Sequence, residues 1–291
     1  MPSPTQNLPA ELKRIQLRSR RLVTGDLLGQ YRSAFRGSGL IYSDLREYQP
    51  GDDVKHIHWK ATARTGTAFV KSYEEDRQLR VVLAVDVSAS MRATVGYQAF
   101  SKALDFCSLI GALTQRGNDL LGLLLFADTP ISYLPPKAGP KRFSRILSSI
   151  LSETRRPTGT DIGKALNHLS LSVRKSSIIF VISDFVGGDF KEELRRLSAR
   201  HDVILVHIQP PPSSIPSVGL MTFRDAETGE VVTVDTASPA VHRGWLKALD
   251  ENRETLRATA TETGAAHIVI HEHAATPLIQ LMRERVKRVG R

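Results

Sequence analysis

The chain of 291 residues is long enough for one large α/β domain with an extension, or for two small domains, and either arrangement buries a sizeable core. Its 40 lysines and arginines outnumber its 30 aspartates and glutamates, and the net charge of +10 favours nucleic acid, anionic lipid or acidic protein surfaces. The basic residues are spread thinly and aromatic content is only 6%, so a nucleic-acid groove with stacking platforms is not expected.

The sequence also bears on the compartment. Neither end resembles a targeting signal, and no apolar run reaches the roughly 18 to 20 residues that a membrane span needs. The single cysteine, Cys107, cannot form an internal disulfide and lies in an apolar stretch, which predicts a buried small hydrophobe rather than a nucleophile. We therefore expect a cytoplasmic protein without a membrane span.

Residues 1–79 are predicted to form an extension packed on the main domain. Glycine, arginine, tyrosine and acidic residues are interspersed there, and long apolar runs are missing. Turn-forming residues separate short segments at 40–42 and 68–73, which predicts strands and tight turns with Trp59 and Phe69 as anchors. The basic run 14–21 predicts a solvated helix or arm.

Residues 80–291 predict a Rossmann-like α/β domain, because short apolar runs alternate with stretches of helical periodicity. This pattern is typical of a mostly parallel sheet with helices on both faces. The predicted buried strands are 81–85, 120–126, 178–182, 203–208 and 268–270. The predicted helices are 97–116, 143–151, 162–173, 245–263 and 277–289. Residues 219–235 predict a β-hairpin instead, since two alternating runs flank a turn at 227–229.

Oxygen-bearing side chains occupy three loops of this domain. An Asp-x-Ser-x-Ser sequence follows the strand 81–85, a Gly-Thr pair precedes the helix at 162, and an aspartate follows the strand 178–182. Ligands collect at the carboxyl edge of parallel sheets, and carboxylates and hydroxyls are hard donors suited to Mg²⁺ or Ca²⁺. Asp161 is expected to cap the helix that it precedes. The candidate metal-site residues are Asp86, Ser88, Ser90, Thr160 and Asp184.

The order of these five residues resembles the metal-ion-dependent adhesion site of von Willebrand factor A domains. In that family two serines and a threonine bind the metal directly, the aspartates act largely through bound water, and one position stays open for a partner's carboxylate. The resemblance implies Ser88, Ser90 and Thr160 as direct ligands, with Asp86 and Asp184 in the outer shell. It also implies Mg²⁺, with Ca²⁺ or Mn²⁺ as alternatives, and an acidic residue of a protein partner.

A second resemblance covers the N-terminal part and, with the downstream domain, nearly the whole chain. The segments that carry it are 8–9, 25, 29–33, 35–39, 44–48, 50–54, 57–60 and 63–65. They resemble the signature of the bacterial family named domain of unknown function 58. Members of that family are commonly associated with AAA-type ATPases of the MoxR class in chaperone-like or assembly systems, so the resemblance implies such an ATPase as partner.

Other functions stay open beside this metal-dependent interaction module. A hydrolase or phosphoryl-transfer enzyme could use Asp86 and Asp184 as metal ligands, but it needs a general base or nucleophile in the same site. The sequence has no Gly-x-Ser-x-Gly elbow and no phosphate loop, so we expect no enzyme activity. Nucleic-acid binding through the basic surface is the third alternative.

The pairs His56/His58 and His271/His273 lack a cysteine or third ligand, and we interpret them as structural.

Overall fold

A computed structural model of the chain describes residues 8–35, 45–49, 59, 62–63, 66–71, 78–92, 97–154, 159–214, 217–225 and 229–289. Several sequence predictions lie outside the described residues, namely the segment 40–42, the pair His56/His58 and the turn residues 227–228.

The described elements alternate as the sequence patterns predict. The helices are α1 Leu8–Leu22, α2 Gly25–Phe35, α3 Ala89–Arg92, α4 Ala99–Gly117, α5 Arg142–Ser152, α6 Ile162–Ser172, α7 Lys191–Ser198, α8 Pro239–Thr263 and α9 Ala275–Val289. The strands are β1 Leu45–Glu47, β2 Phe69–Lys71, β3 Arg80–Asp86, β4 Leu120–Phe126, β5 Pro130–Lys137, β6 Ile178–Ser183, β7 Asp202–Ile208, β8 Leu220–Arg224, β9 Val231–Asp235 and β10 Ala266–Ile270. None of the described helices combines the length and apolarity that crossing a membrane requires.

The central sheet of the described chain has six strands in the order β10-β7-β6-β3-β4-β5. Neighbouring strands from β10 to β4 run parallel, and only β5 at the edge is antiparallel within this sheet. The hairpin β8–β9 pairs antiparallel as a separate sheet, as the alternating runs predict. The predicted mostly parallel α/β fold is confirmed. Its topology puts the ends of β3, β4 and β6 side by side at one edge.

Helices cover both faces because the central strands are apolar on both sides. Along β3, Val81, Leu83 and Val85 join one buried cluster, while Val82 and Ala84 join the other. Helices α1, α2, α4, α5 and α9 pack on the first face, and α6, α7 and α8 pack on the second. Cys107 of α4 is buried in the first cluster, and burial raises the pKa of its thiol, as expected for a small hydrophobe.

The N-terminal segment is more helical than its composition suggests. Helix α1 covers the basic run, and α2 follows without having been predicted. Strands β1 and β2 form an antiparallel pair; β2 lies within the predicted segment 68–73, whereas no strand was predicted at β1. Trp59 is 66% exposed, so the prediction that it anchors the extension was wrong. Leu27, Tyr31 and Phe35 of α2 are the buried anchors, and they belong to the same core as the main sheet. The domain boundary at residue 80 stays a prediction.

Two further elements depart from the sequence prediction for physical reasons. Strand β5 contains Pro130, Pro135 and Pro136, which lack the N–H that a central strand needs, and it is accommodated at the sheet edge. Helix α8 begins at Pro239, ahead of the predicted residue 245, because proline is favourable in a first helical turn.

Candidate metal centre

The loop after β3 is organised around a buried carboxylate. Asp86 is fully buried at the end of β3; its Oδ1 accepts a hydrogen bond from the Ser88 N–H at 2.9 Å. Its Oδ2 accepts a hydrogen bond from the Ser183 hydroxyl at 2.6 Å. The Ser88 and Ser90 hydroxyl oxygens lie 3.0 Å apart. These contacts fix the Asp-x-Ser-x-Ser segment in one conformation and gather its oxygen atoms.

The short helix α3 secures the far side of this loop. Met91 is fully buried, and the Arg92 guanidinium donates to the Glu153 carbonyl at 2.6 Å. The central carbon of this guanidinium group lies 4.1 Å from the centre of the Phe100 ring, a cation–π distance. The serine-bearing loop is thereby tied to α4 and to the end of α5.

The loop after β6 carries the second carboxylate in a strained backbone. Phe185 has φ of +52°, a left-handed conformation that costs a non-glycine residue about 1–3 kcal/mol. Its side chain is buried against Phe190 and His207, and its N–H donates to the Ser183 hydroxyl oxygen at 3.0 Å. The Val186 N–H donates to Asp184 Oδ1 at 3.3 Å. This anchored turn sets the position of the Asp184 carboxylate.

The third loop holds Thr160 at the same edge of the sheet. The Asp161 N–H donates to the Ala127 carbonyl at 2.8 Å, directly beyond the end of β4. The Asp161 side chain accepts from the Lys164 N–H at 2.8 Å and caps α6, so the capping prediction is confirmed. Thr160 therefore lies beside the end of the strand that neighbours β3.

Burial raises the pKa values of the two carboxyl groups. Burial raises the pKa of Asp86 to about 6; hydrogen bonds from Ser183 and Ser88 oppose the rise, and the nearby Asp184 adds to it. Burial also raises the pKa of Asp184, against hydrogen bonds from the Val186 N–H and the Ser90 hydroxyl. Burial thus opposes ionisation of both carboxyl groups, and a nearby cation would counteract this effect.

The structure thus joins four of the five predicted residues in one network and puts the fifth on the adjoining loop. Ser88 contacts Asp86 and Ser90, and Ser90 contacts Asp184. Their role as metal ligands stays a prediction. Sequence reasoning gave no role to Ser183, whose hydroxyl bridges the Asp86 carboxylate and the Phe185 N–H. The sequence signal that could have indicated this role is the position of Ser183 immediately before Asp184 at a strand end.

The donor set fits a hard divalent cation. Every group in the network presents oxygen, and Mg²⁺, Ca²⁺ and Mn²⁺ prefer oxygen ligands. Within the described ranges, no three His, Cys, Asp or Glu side chains form a metal-binding group. The candidate site has only two carboxylates, and its other oxygen atoms come from hydroxyl groups, so it is not a group of that kind. Of the described histidine pair, His271 Nδ1 contacts the Gln209 carbonyl at 3.0 Å, while His273 is exposed.

Comparison with known proteins identifies the family. Residues 44–255 match the family described as Protein of unknown function DUF58. Uncharacterized protein Rv1480 of Mycobacterium tuberculosis is 30% identical over 263 residues, which cover 89% of this chain and 83% of that relative. The chain belongs to the DUF58 family.

Two solved structures are similar to this chain in fold. The conserved hypothetical protein BatB from Bacteroides thetaiotaomicron has a TM-score of 0.46 and 19% identity, covering 72% of this chain and 99% of that one. A von Willebrand factor type A structure from Catenulispora acidiphila has a TM-score of 0.41 and 10% identity, covering 77% and 44% respectively. At these identities the likeness concerns the fold alone.

Proposed function

We propose that the chain is a non-catalytic, Mg²⁺-dependent protein-interaction module. Its binding site is the oxygen cluster on the loops after β3 and β6 and before α6, and it receives an acidic residue of a protein partner. The observation that carries the proposal is the network in which the hydroxyls of Ser88 and Ser90 lie 3.0 Å apart between the buried Asp86 carboxylate and the half-buried Asp184 carboxylate.

Each residue has a distinct role in this proposal. Ser88, Ser90 and Thr160 hold the cation through neutral hydroxyl oxygens, and Asp86 and Asp184 supply negative charge around it. Ser183 orients Asp86 through the 2.6 Å hydrogen bond to Oδ2. When bound, Mg²⁺ supplies a Lewis-acidic position that a carboxylate can complete, because few direct protein anions neutralise it.

The family suggests a particular partner. The proposal names an AAA-type ATPase of the MoxR class, or its client, in a chaperone-like or assembly role. An acidic patch on that partner would suit a chain of net charge +10. The proposal places the chain in the cytoplasm, where the buried Cys107 thiol stays reduced.

A binding experiment with paired variants tests this function. The full chain is immobilised and presented with a nucleotide-free MoxR-type ATPase from the same organism, in Mg²⁺ and again in a chelator. Asp184→Asn removes one site charge, and Asp128→Asn is the matched control, because Asp128 is exposed beyond the neighbouring strand β4. We expect binding that chelation and Asp184→Asn abolish and Asp128→Asn preserves.

Two results would contradict the proposal. Binding that persists in chelator and in Asp184→Asn would remove the metal from the mechanism. Mg²⁺-dependent turnover of phosphoester or peptide substrates by the purified chain, lost in Asp184→Asn, would replace the interaction module with the enzyme alternative.

A further inference from the structure

An apolar cavity of about 810 Å³ lies beside the candidate metal centre. It is bounded by the ends of β6 and β7, the hairpin β8–β9 and the first half of α8. Ser90 and Asp184 form part of its wall, so the cavity is continuous with the oxygen cluster. Its volume is within the range of about 300–1,000 Å³ that is usual for ligand cavities.

The wall of this cavity is built mainly from large apolar side chains. Phe223 and Val234 contribute from the hairpin, Trp245 and Leu249 from α8, and Phe185 from the loop after β6. The hairpin lies between β7 and α8 in the chain, and its side chains contribute to the same wall as those of α8. Burial of another apolar group there would remove nonpolar surface from water.

Two nitrogen atoms of this wall are buried without partners. His207 is 1% exposed, and its Nδ1 has no hydrogen-bond partner among the described residues. The Trp245 Nε1–H is likewise buried and has no acceptor within the described part of the chain. A buried donor without an acceptor costs free energy, and a peptide carbonyl oxygen would supply the missing acceptor.

We propose that this cavity receives an aromatic or branched aliphatic side chain of the same partner segment whose carboxylate binds at the metal centre. The inference rests on the proposed function and specifies its partner: an acidic residue next to a large apolar residue in an exposed peptide segment. Three observations favour this occupant over others. The cavity adjoins the carboxylate-binding position, its unpaired Trp245 Nε1–H suits a backbone carbonyl, and the chain's net charge of +10 favours an acidic partner.

Trp245 makes the proposal testable with defined peptides. The chain has two tryptophans, and Trp59→Phe leaves Trp245 as the sole tryptophan fluorophore and the sole indole N–H signal in NMR. Three blocked hexapeptides in Mg²⁺ serve as probes: one with Asp-Phe at its centre, one with Asp-Ser and one with Asn-Phe. We expect the Asp-Phe peptide to shift both Trp245 signals and to bind at least about tenfold more tightly than the Asp-Ser peptide.

A matched pair of variants on α8 separates the cavity from the metal centre. Ala248 is an exposed residue of the cavity wall, and Ala248→Phe places a ring at the cavity. Ala258→Phe adds the same ring at an exposed position of the same helix outside the cavity. We expect Ala248→Phe to reduce the affinity for the Asp-Phe peptide to that for the Asp-Ser peptide. Ala258→Phe should leave the preference for phenylalanine unchanged.

The possible failures are distinguishable. Equal, Mg²⁺-dependent binding of the Asp-Phe and Asp-Ser peptides would overturn the role of the cavity and leave the proposed function standing. Equal binding of the Asp-Phe and Asn-Phe peptides in Mg²⁺, unchanged by chelator, would overturn both proposals. Binding of dodecanoate but of none of the peptides would assign the cavity to a lipid chain and would also overturn the inference.

Discussion

Replacing Asp86 with asparagine should stabilise the metal-free chain at neutral pH. Burial, with a smaller contribution from Asp184, raises the pKa of Asp86 from its ordinary value of 3.8 to about 6. At about 1.36 kcal/mol per unit, the shift corresponds to about 3 kcal/mol by which ionised Asp86 destabilises the folded state. Asparagine has nearly the same shape, can still accept from the Ser88 N–H, and carries no charge.

The sign of the pH dependence follows from the direction of the pKa shift. Because the folded state holds the Asp86 proton more tightly than the unfolded state, the stability that this proton provides is present below about pH 4. It is lost as the pH rises through about 6. In chelator, the advantage of Asp86→Asn over the natural chain should therefore grow by about 2 kcal/mol between about pH 4.5 and about pH 8.

Urea denaturation at both pH values, with chelator present, measures this difference. Asp128→Asn serves as the control, since that exposed carboxylate has solvent around it and the substitution should change stability little. Saturating Mg²⁺ should reverse the order, because a cation that binds the folded natural chain stabilises it by mass action. A natural chain that is more stable than Asp86→Asn in chelator at about pH 8 would refute the reasoning.

Three further predictions concern packing and capping. Gly111→Ala should destabilise the chain by about 1–3 kcal/mol in thermal unfolding, because the new methyl carbon would lie 2.3 Å from the Phe143 ring. Gly244→Ala, in the open space along α8, is its control and should be neutral or stabilising; equal effects would contradict the packing. Asp161→Ala should cost about 1 kcal/mol in urea unfolding through loss of the α6 cap, and no loss would discount the cap. Cys107 should resist thiol reagents until the chain unfolds, and rapid labelling of the folded chain would contradict its burial.

Apolar runs predict the central sheet well because its strands are buried on both faces. In β3 and β6 nearly every side chain is enclosed, so a continuous hydrophobic run marks each strand without help from tertiary structure. Strand β5 was not predicted, because its three prolines argue against a strand. Only its pairing with β4 at the sheet edge shows that such a sequence can form one. Helix α2 was missed because its apolar face, with Tyr31 and Phe35, packs against distant elements.

For the site, the sequence predicts which residues meet at one edge but not how they are oriented. Strand ends that share an edge bring Asp86, Ser90 and Asp184 together by topology alone. The hydrogen bond from Ser183 and the left-handed backbone of Phe185 depend on the packing of the loop, which no local pattern encodes. The cavity beside the site has the same origin, since its wall comes from β6, β7, the hairpin and α8.

Direct titration of the full chain with a divalent cation tests the central claim. Calorimetry with Mg²⁺, supported by electron paramagnetic resonance with Mn²⁺, should detect one bound ion per chain. Asp184→Asn should abolish or strongly weaken this binding, and Asp128→Asn should bind like the natural chain. Absence of binding to the natural chain, or equal binding by Asp184→Asn, would contradict a metal centre at this edge of the sheet.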